Sequence, residues 1–550
     1  MSGHVPAGTR PRRSRTARRR ALVLVLLHVL VIGHVLWWWL RGRALAPLEP
    51  SEAMAFSKEG IINAGLLLFA VATLATLVFG RFFCGWACHM VALQDACRWL
   101  MLRVGIRPMP LRSRLLRWVP LGAFLYMFLW PVVARWLAGV PPPGVRGVEL
   151  TTNALWATFP GFWVSAFGLF ACGFLTVWFL GSKGLCVYGC PYGALFGAAD
   201  SFAPGRIRVT DACEGCGHCT ATCSSDVQVH AEVRDYGAVV DAGCLKCMDC
   251  VSVCPTDALY FGFGKPAALL SPRREPPPAK RPRNAPSWGE ELLAAAGFAL
   301  VFFATRGLYG AVPFLVALTL GVLGGWAALT GWRLIRRTSL RSGPWVLKRD
   351  GGITRAGTAM AAALLVVTGL LLHSAWVQVQ DHAREGAFRE THAWRAAVLR
   401  DGWRPPSVEV RKHLDTAARA AERAAAAGLV RDDRNRYVAA WHLLADGDGA
   451  AFEGALEEIL ERRPGFGELL FQLGHFRRSR GDGEGAEAAW RAVSARDPRY
   501  LDARLDLGLM LLALGHGARA EEVLDRLERL GFHAAEIAPL AGAVEQSRRG

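Results

Sequence analysis

The sequence has 550 residues, of which 52% are hydrophobic and only 20% are charged, a balance too apolar for a soluble protein of this size. Its 14 cysteines are concentrated, with ten of them between Cys186 and Cys254, which excludes a disulfide framework spread over secreted domains. The net charge of +18 would suit a nucleic-acid binder, but the basic residues flank apolar segments. We therefore predict a membrane protein with no nucleic-acid partner.

The N-terminus is basic and precedes an apolar segment. Seven arginines lie within residues 1–20, and Ala21 to Leu40 is an apolar run long enough for about 30 Å of helix. The run closes with Trp37 to Trp39 and then Arg41, which is an interfacial pattern rather than a cleavage site. This predicts a retained anchor with a cytoplasmic N-terminus.

Further apolar segments have the length of membrane spans. They lie at about Ile61–Gly80, Trp118–Leu137, Gly161–Gly181, Leu292–Ala304, Ala311–Trp332 and Thr358–Val377. The Leu292 segment is short, which leaves open whether the chain crosses once or twice between Leu292 and Trp332.

Lysine and arginine alternate between the connecting segments. Residues 81–117, 182–290 and 333–355 contain 7, 11 and 7 of them, whereas residues 41–60 and 135–160 contain 3 and 2. The positive-inside rule then predicts seven spans, with the chain from about Gln378 outside the cytoplasm. A single crossing between Leu292 and Trp332 would place that tail inside instead.

Two four-cysteine runs lie in the longest cytoplasmic segment, each with the spacing C-x2-C-x2-C-x3-C. In two-cluster ferredoxins, three thiolates of a run bind one [4Fe-4S] cluster and the fourth binds the other. We therefore assign one cluster to Cys213, Cys216, Cys219 and Cys254, and the second to Cys244, Cys247, Cys250 and Cys223. Two zinc sites are the alternative, although zinc is typically bound by paired C-x2-C knuckles.

A second cysteine pattern, C-x3-C, follows the second and fourth predicted spans. It comprises Cys84 and Cys88, then Cys186 and Cys190, and each pair leads to an Ala-Leu at the same offset. This internal repeat predicts two hairpins that bring four thiols to the inner membrane surface, because positions i and i+4 share a helix face. We interpret the four cysteines as ligands of a third metal centre or as a redox dithiol pair, with close packing of small residues as the alternative.

These motifs together resemble the membrane polyferredoxins of the NapH, NosR and CcoG type, over residues 20–265. The resemblance implies at least four spans, a C-x3-C motif after two of them and a cytoplasmic two-cluster ferredoxin. It also implies electron transfer between the quinone pool or a cytoplasmic donor and a respiratory or assembly complex. The sequence departs from the family in His89, where proline is usual, in its additional C-terminal half, and in lacking a flavin-attachment segment before the spans.

Histidines in the predicted spans raise the question of haem or quinone. His28 and His34 lie six residues apart in the first span, which places them on different helix faces, and His373 lies in the last span. Hydrogen bonding to a neighbouring helix is therefore favoured over b-type haem. Contact of a quinone with His28, His34 or His89 is a further hypothesis.

The C-terminal tail repeats itself every 34 residues. The matched pairs are Pro464 with Pro498, Leu473 with Leu507, Gly474 with Gly508, Gly481 with Gly515, and Ala486 with Ala520. This period predicts tetratricopeptide-like helix pairs that stack into a solenoid and bind a partner protein. An uncommitted helical bundle is the alternative.

The sequence thus predicts a multi-domain protein: a polytopic α-helical membrane protein with an inserted α+β ferredoxin domain carrying two [4Fe-4S] clusters, and a C-terminal all-α repeat domain. The expected segments are a basic N-terminus (1–20), four spans (21–200), the ferredoxin domain (201–264), a Pro/Arg-rich linker (265–289), three spans (290–378) and the repeats (379–550). We expect a bacterial cytoplasmic membrane location, with the ferredoxin domain in the cytoplasm and the repeats in the periplasm.

The predicted function is that of an electron carrier rather than a classical enzyme. It would pass electrons between the quinone pool or a cytoplasmic donor and a respiratory or photosynthetic redox partner. The alternative is an assembly factor that reduces a metal or disulfide in a client membrane complex.

Overall fold

The computed structural model describes residues 14–106, 108, 113–141, 143–158, 161–273, 286–342 and 345–549. The arginines before Ser14 and residues 274–285 of the predicted linker lie outside the described residues. The described part is mainly helical, with small sheets of two or three strands.

Residues 14–202 form the first part of the membrane domain. Its helices are α1 (Arg15–Arg41), α2 (Met54–Glu59), α3 (Ala64–Phe79), α4 (Phe82–Trp86), α5 (His89–Arg103), α6 (Val119–Phe124), α7 (Trp130–Leu137), α8 (Phe162–Phe170), α9 (Thr176–Leu180), α10 (Gly184–Tyr188) and α11 (Pro191–Phe202). A single π-helical segment joins α6 to α7, and another joins α8 to α9, so each pair forms one continuous apolar helix. Strands β1 (Ala44–Leu45) and β4 (Thr151–Thr152) pair antiparallel, while β2 (Ile61–Asn63) and β3 (Gly147–Glu149) pair parallel.

The cysteine-rich domain (residues 203–264) follows. Strands β5 (Gly205–Val209) and β6 (Leu259–Phe263) pair antiparallel, with Ile207 opposite Phe261. Between them lie α12 (His218–Thr222), α13 (Val229–Tyr236) and α14 (Asp249–Ser252). The core of this domain is formed by small β-branched and aliphatic side chains, among them Ile207, Val233 and Val239, which are buried.

The second part of the membrane domain contains α15 (Trp288–Thr305), α16 (Phe314–Arg336) and α17 (Arg355–Glu390). A small antiparallel sheet of β7 (Leu340–Ser342), β8 (Trp345–Arg349) and β9 (Gly352–Ile353) lies between α16 and α17. Helices α15 and α16 are separate and pack closely, since a side chain at Gly297 would meet the carbonyl group of Gly324. The region from Leu292 to Trp332, which the sequence left open, therefore contains two helices.

Six helices of the described residues are long and apolar enough to cross a membrane: Arg15–Arg41, Leu115–Leu137, Phe162–Leu180, Trp288–Thr305, Phe314–Arg336 and Arg355–Glu390. The protein is thus a multi-pass membrane protein. The second predicted span corresponds to the shorter apolar helix α3. It is shorter than predicted because Ile61–Asn63 pair with β3 and Asn63 caps the helix at Ala64.

The C-terminal helical domain (residues 391–549) consists of packed helices. They are α18 (His392–Asp401), α19 (Val408–Ala427), α20 (Asp433–Ala445), α21 (Gly449–Arg462), α22 (Gly467–Ser479), α23 (Gly483–Ala492), α24 (Tyr500–Ala513), α25 (Gly517–Arg529) and α26 (Ala534–Arg549). Helices α21, α23 and α25 each begin two residues after a glycine with positive φ: Gly447, Gly481 and Gly515. Large buried side chains such as Trp441 and Trp490 fill the interior.

The cysteine-rich domain and the C-terminal helical domain lie at opposite ends of the spans. At the start of α1, Ser14 Oγ donates a hydrogen bond to Asp249 Oδ1 (2.7 Å) of the cysteine-rich domain. At the other end of α1, Arg496 Nη2 of the C-terminal helical domain donates to the Trp39 carbonyl oxygen (2.7 Å). A helix of 27 residues is about 40 Å long, so the span bundle separates the two domains.

Candidate electron-transfer site

Two loops carry the predicted ferredoxin cysteines: loop one (Cys213–Cys223) and loop two (Cys244–Cys254). Their cysteines match with an offset of 31 residues, and each loop has two residues in the left-handed backbone region. In loop one those positions are Gly215 (φ 69°) and Gly217 (φ 76°). In loop two they are Lys246 (φ 50°) and Met248 (φ 63°). Residues other than glycine rarely adopt such positive φ values.

The thiols fall into groups that cross between the two loops. Cys223 of loop one interacts electrostatically with Cys244, Cys247 and Cys250. Cys219 interacts with Cys216 and Cys213 of its own loop. Cys254 packs against the apolar cluster that contains both Cys219 and Cys250. The exchange of the fourth cysteine between runs, which defines a two-cluster ferredoxin, is therefore compatible with the packing.

The donor set suits iron-sulfur clusters better than single metal ions. Two runs of C-x2-C-x2-C-x3-C are the pattern of a two-cluster ferredoxin, whereas zinc is typically bound by paired C-x2-C knuckles. Burial raises the pKa of Cys247 to about 12 and that of Cys219 to about 11, so binding of a cluster must displace protons from these thiols.

Loop two packs directly against the membrane domain. Arg81 Nη1 donates a hydrogen bond to the Ala242 carbonyl oxygen (2.8 Å), and Trp86 Nε1 donates to the Lys246 carbonyl oxygen (3.0 Å). A side chain at Gly85 would collide with the Leu245 carbonyl oxygen, so the two backbones touch there. The hairpin that carries Cys84 thus lies against the loop that carries Cys244 and Cys247.

A buried ion cluster fixes this junction. Asp200, at the end of α11, is completely buried and accepts from Lys246 Nζ (2.7 Å), Arg206 Nη2 (3.1 Å) and the backbone nitrogen of Arg81 (3.0 Å). Nearby, Asp95 of α5 pairs with Arg20 (2.9 Å) and with Lys183. One carboxylate therefore joins α11, loop two and the C-x3-C hairpin.

The two C-x3-C hairpins pack against the spans. Cys84 and Cys186 lie in one apolar cluster with Leu24 and Phe69. Near the start of α11 the Tyr192 ring lies 5.6 Å from Phe69, and near its end Asp200 accepts from the Arg81 backbone nitrogen.

The four-cysteine pocket (Cys84, Cys88, Cys186 and Cys190) is formed where these hairpins meet. Cys88 and Cys190 occupy the N-cap positions of α5 and α11, and the thiols lie close enough to interact electrostatically. The structure thus brings the two C-x3-C pairs near each other. A shared redox centre at these four cysteines stays a prediction.

The four-cysteine pocket is electropositive. The Arg81 guanidinium interacts with Cys84, Cys186 and Cys190, and in the described part of the chain it has no carboxylate partner. Arg81 Nε and Gln94 Nε2 are buried donors without a hydrogen-bond partner there, and Gln94 Oε1 accepts from Cys186 Sγ (3.7 Å). The N-termini of α5 and α11 add partial positive charge. Such a pocket suits an anionic tetrathiolate centre.

Comparison with known proteins agrees with this architecture. A 4Fe-4S binding domain matches residues 63–110, and a 4Fe-4S dicluster domain matches residues 212–259. The methylamine utilization ferredoxin-type protein MauN of Methylorubrum extorquens is 27% identical over 239 residues, which are 40% of this chain and 79% of that protein. The ferredoxin-type protein NapH of Haemophilus influenzae is 28% identical over 214 residues, 36% of this chain and 67% of NapH. The YccM protein of Escherichia coli is 27% identical over 294 residues, which are 46% of this chain and 78% of YccM.

The chain is therefore similar to membrane ferredoxin-type proteins of the NapH and MauN kind, and it contains two 4Fe-4S domains. Its cofactors are two [4Fe-4S] clusters, as predicted. No solved structure matches the chain. The 4Fe-4S binding domain at residues 63–110 contains Cys84 and Cys88, the first C-x3-C pair.

The site contains polar and charged residues that the sequence analysis did not single out, chiefly Arg81, Gln94, Asp200 and Lys246. The sequence gives only a weak indication of these residues, because a basic residue after a membrane span is common. The one repeated feature is a basic residue after each span, in Gly80-Arg81 and in Gly181-Ser182-Lys183. Two of the histidines named from the sequence, His28 and His34, contact carbonyl oxygens close to them in the chain. The His28 ring bonds the Leu24 carbonyl oxygen (2.7 Å), and the His34 ring bonds the Leu45 carbonyl oxygen (3.0 Å).

Proposed function

We propose that this protein passes single electrons between the quinone pool of the membrane and a respiratory or photosynthetic redox protein. The observation that carries the proposal is the direct packing of loop two on the C-x3-C hairpin through Gly85, Trp86 and Arg81. When bound, the [4Fe-4S] clusters supply one-electron redox chemistry. The protein holds the two cysteine regions in fixed contact.

The eight ferredoxin cysteines are proposed as ligands in the crossed assignment. Cys213, Cys216, Cys219 and Cys254 would hold the cluster nearer solvent, and Cys244, Cys247, Cys250 and Cys223 the cluster nearer the membrane. The exposure of Cys213 and the burial of loop two against the membrane domain support this order.

The four-cysteine pocket is proposed to hold a third redox centre. Four thiolates bring negative charge into a buried site, and the unpaired Arg81 guanidinium and two helix N-termini would offset it. A dithiol pair would instead leave four neutral thiols around an uncompensated buried arginine.

Potentiometric EPR on membranes, with dithionite and with quinol as reductants, tests this proposal. In the quadruple variant with Cys84, Cys88, Cys186 and Cys190 replaced by serine, dithionite should still reduce both ferredoxin clusters while quinol should not. A variant with Cys97 and Cys172 replaced by serine is the matched control, because these buried cysteines lie outside the pocket. Unchanged quinol-linked reduction in the quadruple variant would contradict the relay.

Quinone is proposed as the lipid-phase partner. An apolar cavity of about 220 Å³ lies among the spans and is lined by Tyr126, Phe298, Phe302, Phe303 and Phe314, among others. Aromatic, lipid-facing walls suit a quinone ring. Phe302→Trp should fill the cavity and raise the quinol concentration needed for half-maximal cluster reduction, whereas Phe303→Leu should change it less.

The cysteine-rich domain is proposed to face the cytoplasm and the C-terminal helical domain the periplasm. The separation of the two domains by the spans and the alternation of basic residues support this orientation. A reporter active only in the periplasm should be active when fused after Arg400 and silent after Lys265. Equal activity at both positions would contradict the orientation.

The C-terminal helical domain is proposed to dock the redox partner through tetratricopeptide-like helix pairs. Helices that start at Gly449, Gly483 and Gly517 keep the 34-residue interval of the sequence. The assembly-factor alternative uses the same surface to hold a client. Deletion of residues 391–549 separates them: loss of steady-state electron flow with a fully assembled client complex favours the carrier, and loss of the assembled complex favours the assembly factor.

A further inference from the structure

A cavity of about 530 Å³ opens between the C-terminal helical domain and the turn that joins α15 to α16. The turn contributes Tyr309 and Gly310, and the helices contribute Arg395, Tyr437, Leu469 and Gln472, among others. This volume lies within the range of protein pockets that enclose small ligands. It could accommodate a few residues of an extended peptide.

Arg395 is a cation without a counter-charge at this cavity. Its Nε donates a hydrogen bond to Thr391 Oγ1 (3.0 Å), its Nη2 donates to the Phe388 carbonyl oxygen (3.4 Å), and its guanidinium carbon lies 3.8 Å from the centre of the Phe388 ring. Among the described residues no carboxylate lies within ion-pair distance of it. Burial lowers the pKa of Arg395, yet an arginine stays charged at neutral pH. The side chain is thus held in place, partly desolvated and unpaired.

The acidic residues around the cavity are already paired. Asp432 accepts from Arg434 (2.6 Å), and Glu468 pairs with Arg499. Arg463, at the rim, stacks on the Phe466 ring (4.4 Å) and, like Arg395, has no ion pair within the described part of the chain. The uncompensated charge at the cavity is therefore positive.

Tyr309 forms the membrane-side wall in a strained conformation. Its φ of 54° lies in the left-handed region, which a bulky residue rarely adopts. Its hydroxyl group accepts from the Leu429 backbone nitrogen (3.0 Å) and contacts His373 Nε2 (3.1 Å). Such strain persists where surrounding contacts enforce it, and it is concentrated at binding and active sites.

We propose that this cavity binds a carboxylate-bearing peptide segment of a partner protein, with Arg395 as the anchoring cation. The proposal rests on the docking role proposed above for the C-terminal helical domain and names its ligand chemistry. The planar guanidinium fork matches a carboxylate in two parallel hydrogen bonds. Ile459 and Leu469 supply apolar wall, and Gln472 is held in place by accepting from the Tyr437 hydroxyl group (2.6 Å) and donating to Glu468 Oε1 (2.6 Å).

A protein segment is favoured over a lipid headgroup because most of the cavity wall comes from α18, α20, α21 and α22 rather than from spans. Only the Tyr309–Gly310 turn belongs to the membrane domain. The headgroup of an anionic lipid would pair with the same arginine, so the experiment also measures binding to lipid vesicles.

The test uses the full-length protein in detergent micelles and a library of fluorescent hexapeptides that end in either a free carboxylate or an amide. Wild-type protein should prefer free carboxylates by at least tenfold in Kd. Arg395→Gln should abolish that preference, and Arg463→Gln should reduce it several-fold. Arg400→Gln is the matched control, because Arg400 lies on the same helix but is exposed and pairs with Asp401.

Equal binding of carboxylate and amide peptides by the wild type would overturn the proposal, as would retention of the preference in Arg395→Gln. Loss of binding to phosphatidylglycerol vesicles in Arg395→Gln, with peptide binding unchanged, would assign the site to lipid and also overturn it. If Arg395→Gln fails to fold, Arg395→Lys retains the charge without the planar fork and should lower the preference. The EPR signals and quinol reduction of the clusters should stay unchanged in Arg395→Gln, so failure here is distinguishable from failure of the electron-transfer proposal.

Discussion

Loop one and loop two have identical cysteine spacing, yet they lie in different surroundings. In loop one the left-handed positions are glycines, and the segment from Asp211 to Gly215 is exposed. In loop two the same positions are Lys246 and Met248, and Lys246 is completely buried. The backbone path is the same, so the difference lies in what each loop contacts.

The comparison shows that loop two also connects the cysteine-rich domain to the membrane domain, as a structural joint. Lys246 adopts a strained φ, but its ammonium group reaches Asp200 at the end of α11. Glycine would relax the backbone and remove that ion pair. Loop one has no such task in the described structure, and it keeps the glycines that the turn favours.

The largest effects should come from the cluster ligands themselves. Cys247→Ser should remove the EPR signal of the membrane-side cluster and block electron exchange with quinol. Cys216→Ser should remove the other cluster's signal but leave quinol reduction of the remaining cluster intact. Iron content should fall in both variants while membrane insertion is retained. Equal behaviour of the two variants toward quinol would remove the functional difference between the loops.

The joint itself should be sensitive to Asp200→Asn. Removing this charge leaves Lys246 and Arg206 buried without a full counter-charge, and breaking a buried ion pair typically costs about 3–5 kcal/mol. We expect a lower thermal midpoint for loss of cluster absorbance, together with loss of the membrane-side signal. Asp211→Asn, an exposed acidic position before loop one, is the matched control and should change the midpoint little. Equal midpoints for the two variants would show that Asp200 does not hold the junction.

The sequence predicted what depends on local pattern. Cysteine spacing fixed the two loops as cluster sites, and hydropathy located the apolar helices, because both signals are local. The Asp200 joint could not be predicted, since it unites residues about 120 positions apart in sequence, such as Arg81 and Asp200. The packing of α11 along α3 could not be predicted for the same reason, since it depends on contacts between residues distant in sequence, such as Tyr192 and Phe69.

Loop two also depends on Glu232, which gives stability a pH dependence. The Glu232 carboxylate accepts from the backbone nitrogens of Val240 and Asp241, just before loop two, and burial raises its pKa to about 7. The folded state binds the proton of the Glu232 carboxyl group more tightly than the unfolded state does. Protonation of Glu232 therefore stabilises the folded state fully below about pH 4.5, and this stabilisation is lost as pH rises through about 7.

Between pH 5 and pH 8 the loss should be on the order of 2 kcal/mol. Glu232→Gln keeps an oxygen acceptor without the charge and should flatten this dependence, measured as the thermal midpoint at each pH. Glu214→Gln, at an exposed position in loop one, should leave the slope unchanged. A slope that persists in Glu232→Gln would assign the pH dependence to another group.

The smallest effect should come from exchanging the residue types of the left-handed positions. At Gly215 a β-carbon has nothing within 4 Å, so Gly215→Ala adds only the backbone strain of φ 69°, about 1 kcal/mol. Lys246→Gly relieves the same strain but removes the ion pair with Asp200, and the loss should exceed the gain. We therefore expect both substitutions to lower the thermal midpoint, for opposite reasons. In the Asp200→Asn background the ion pair is already weakened, so Lys246→Gly should become neutral or stabilising, whereas Gly215→Ala should lower the midpoint as before. Destabilisation by Lys246→Gly of equal size in both backgrounds would show that the lysine does not serve the joint.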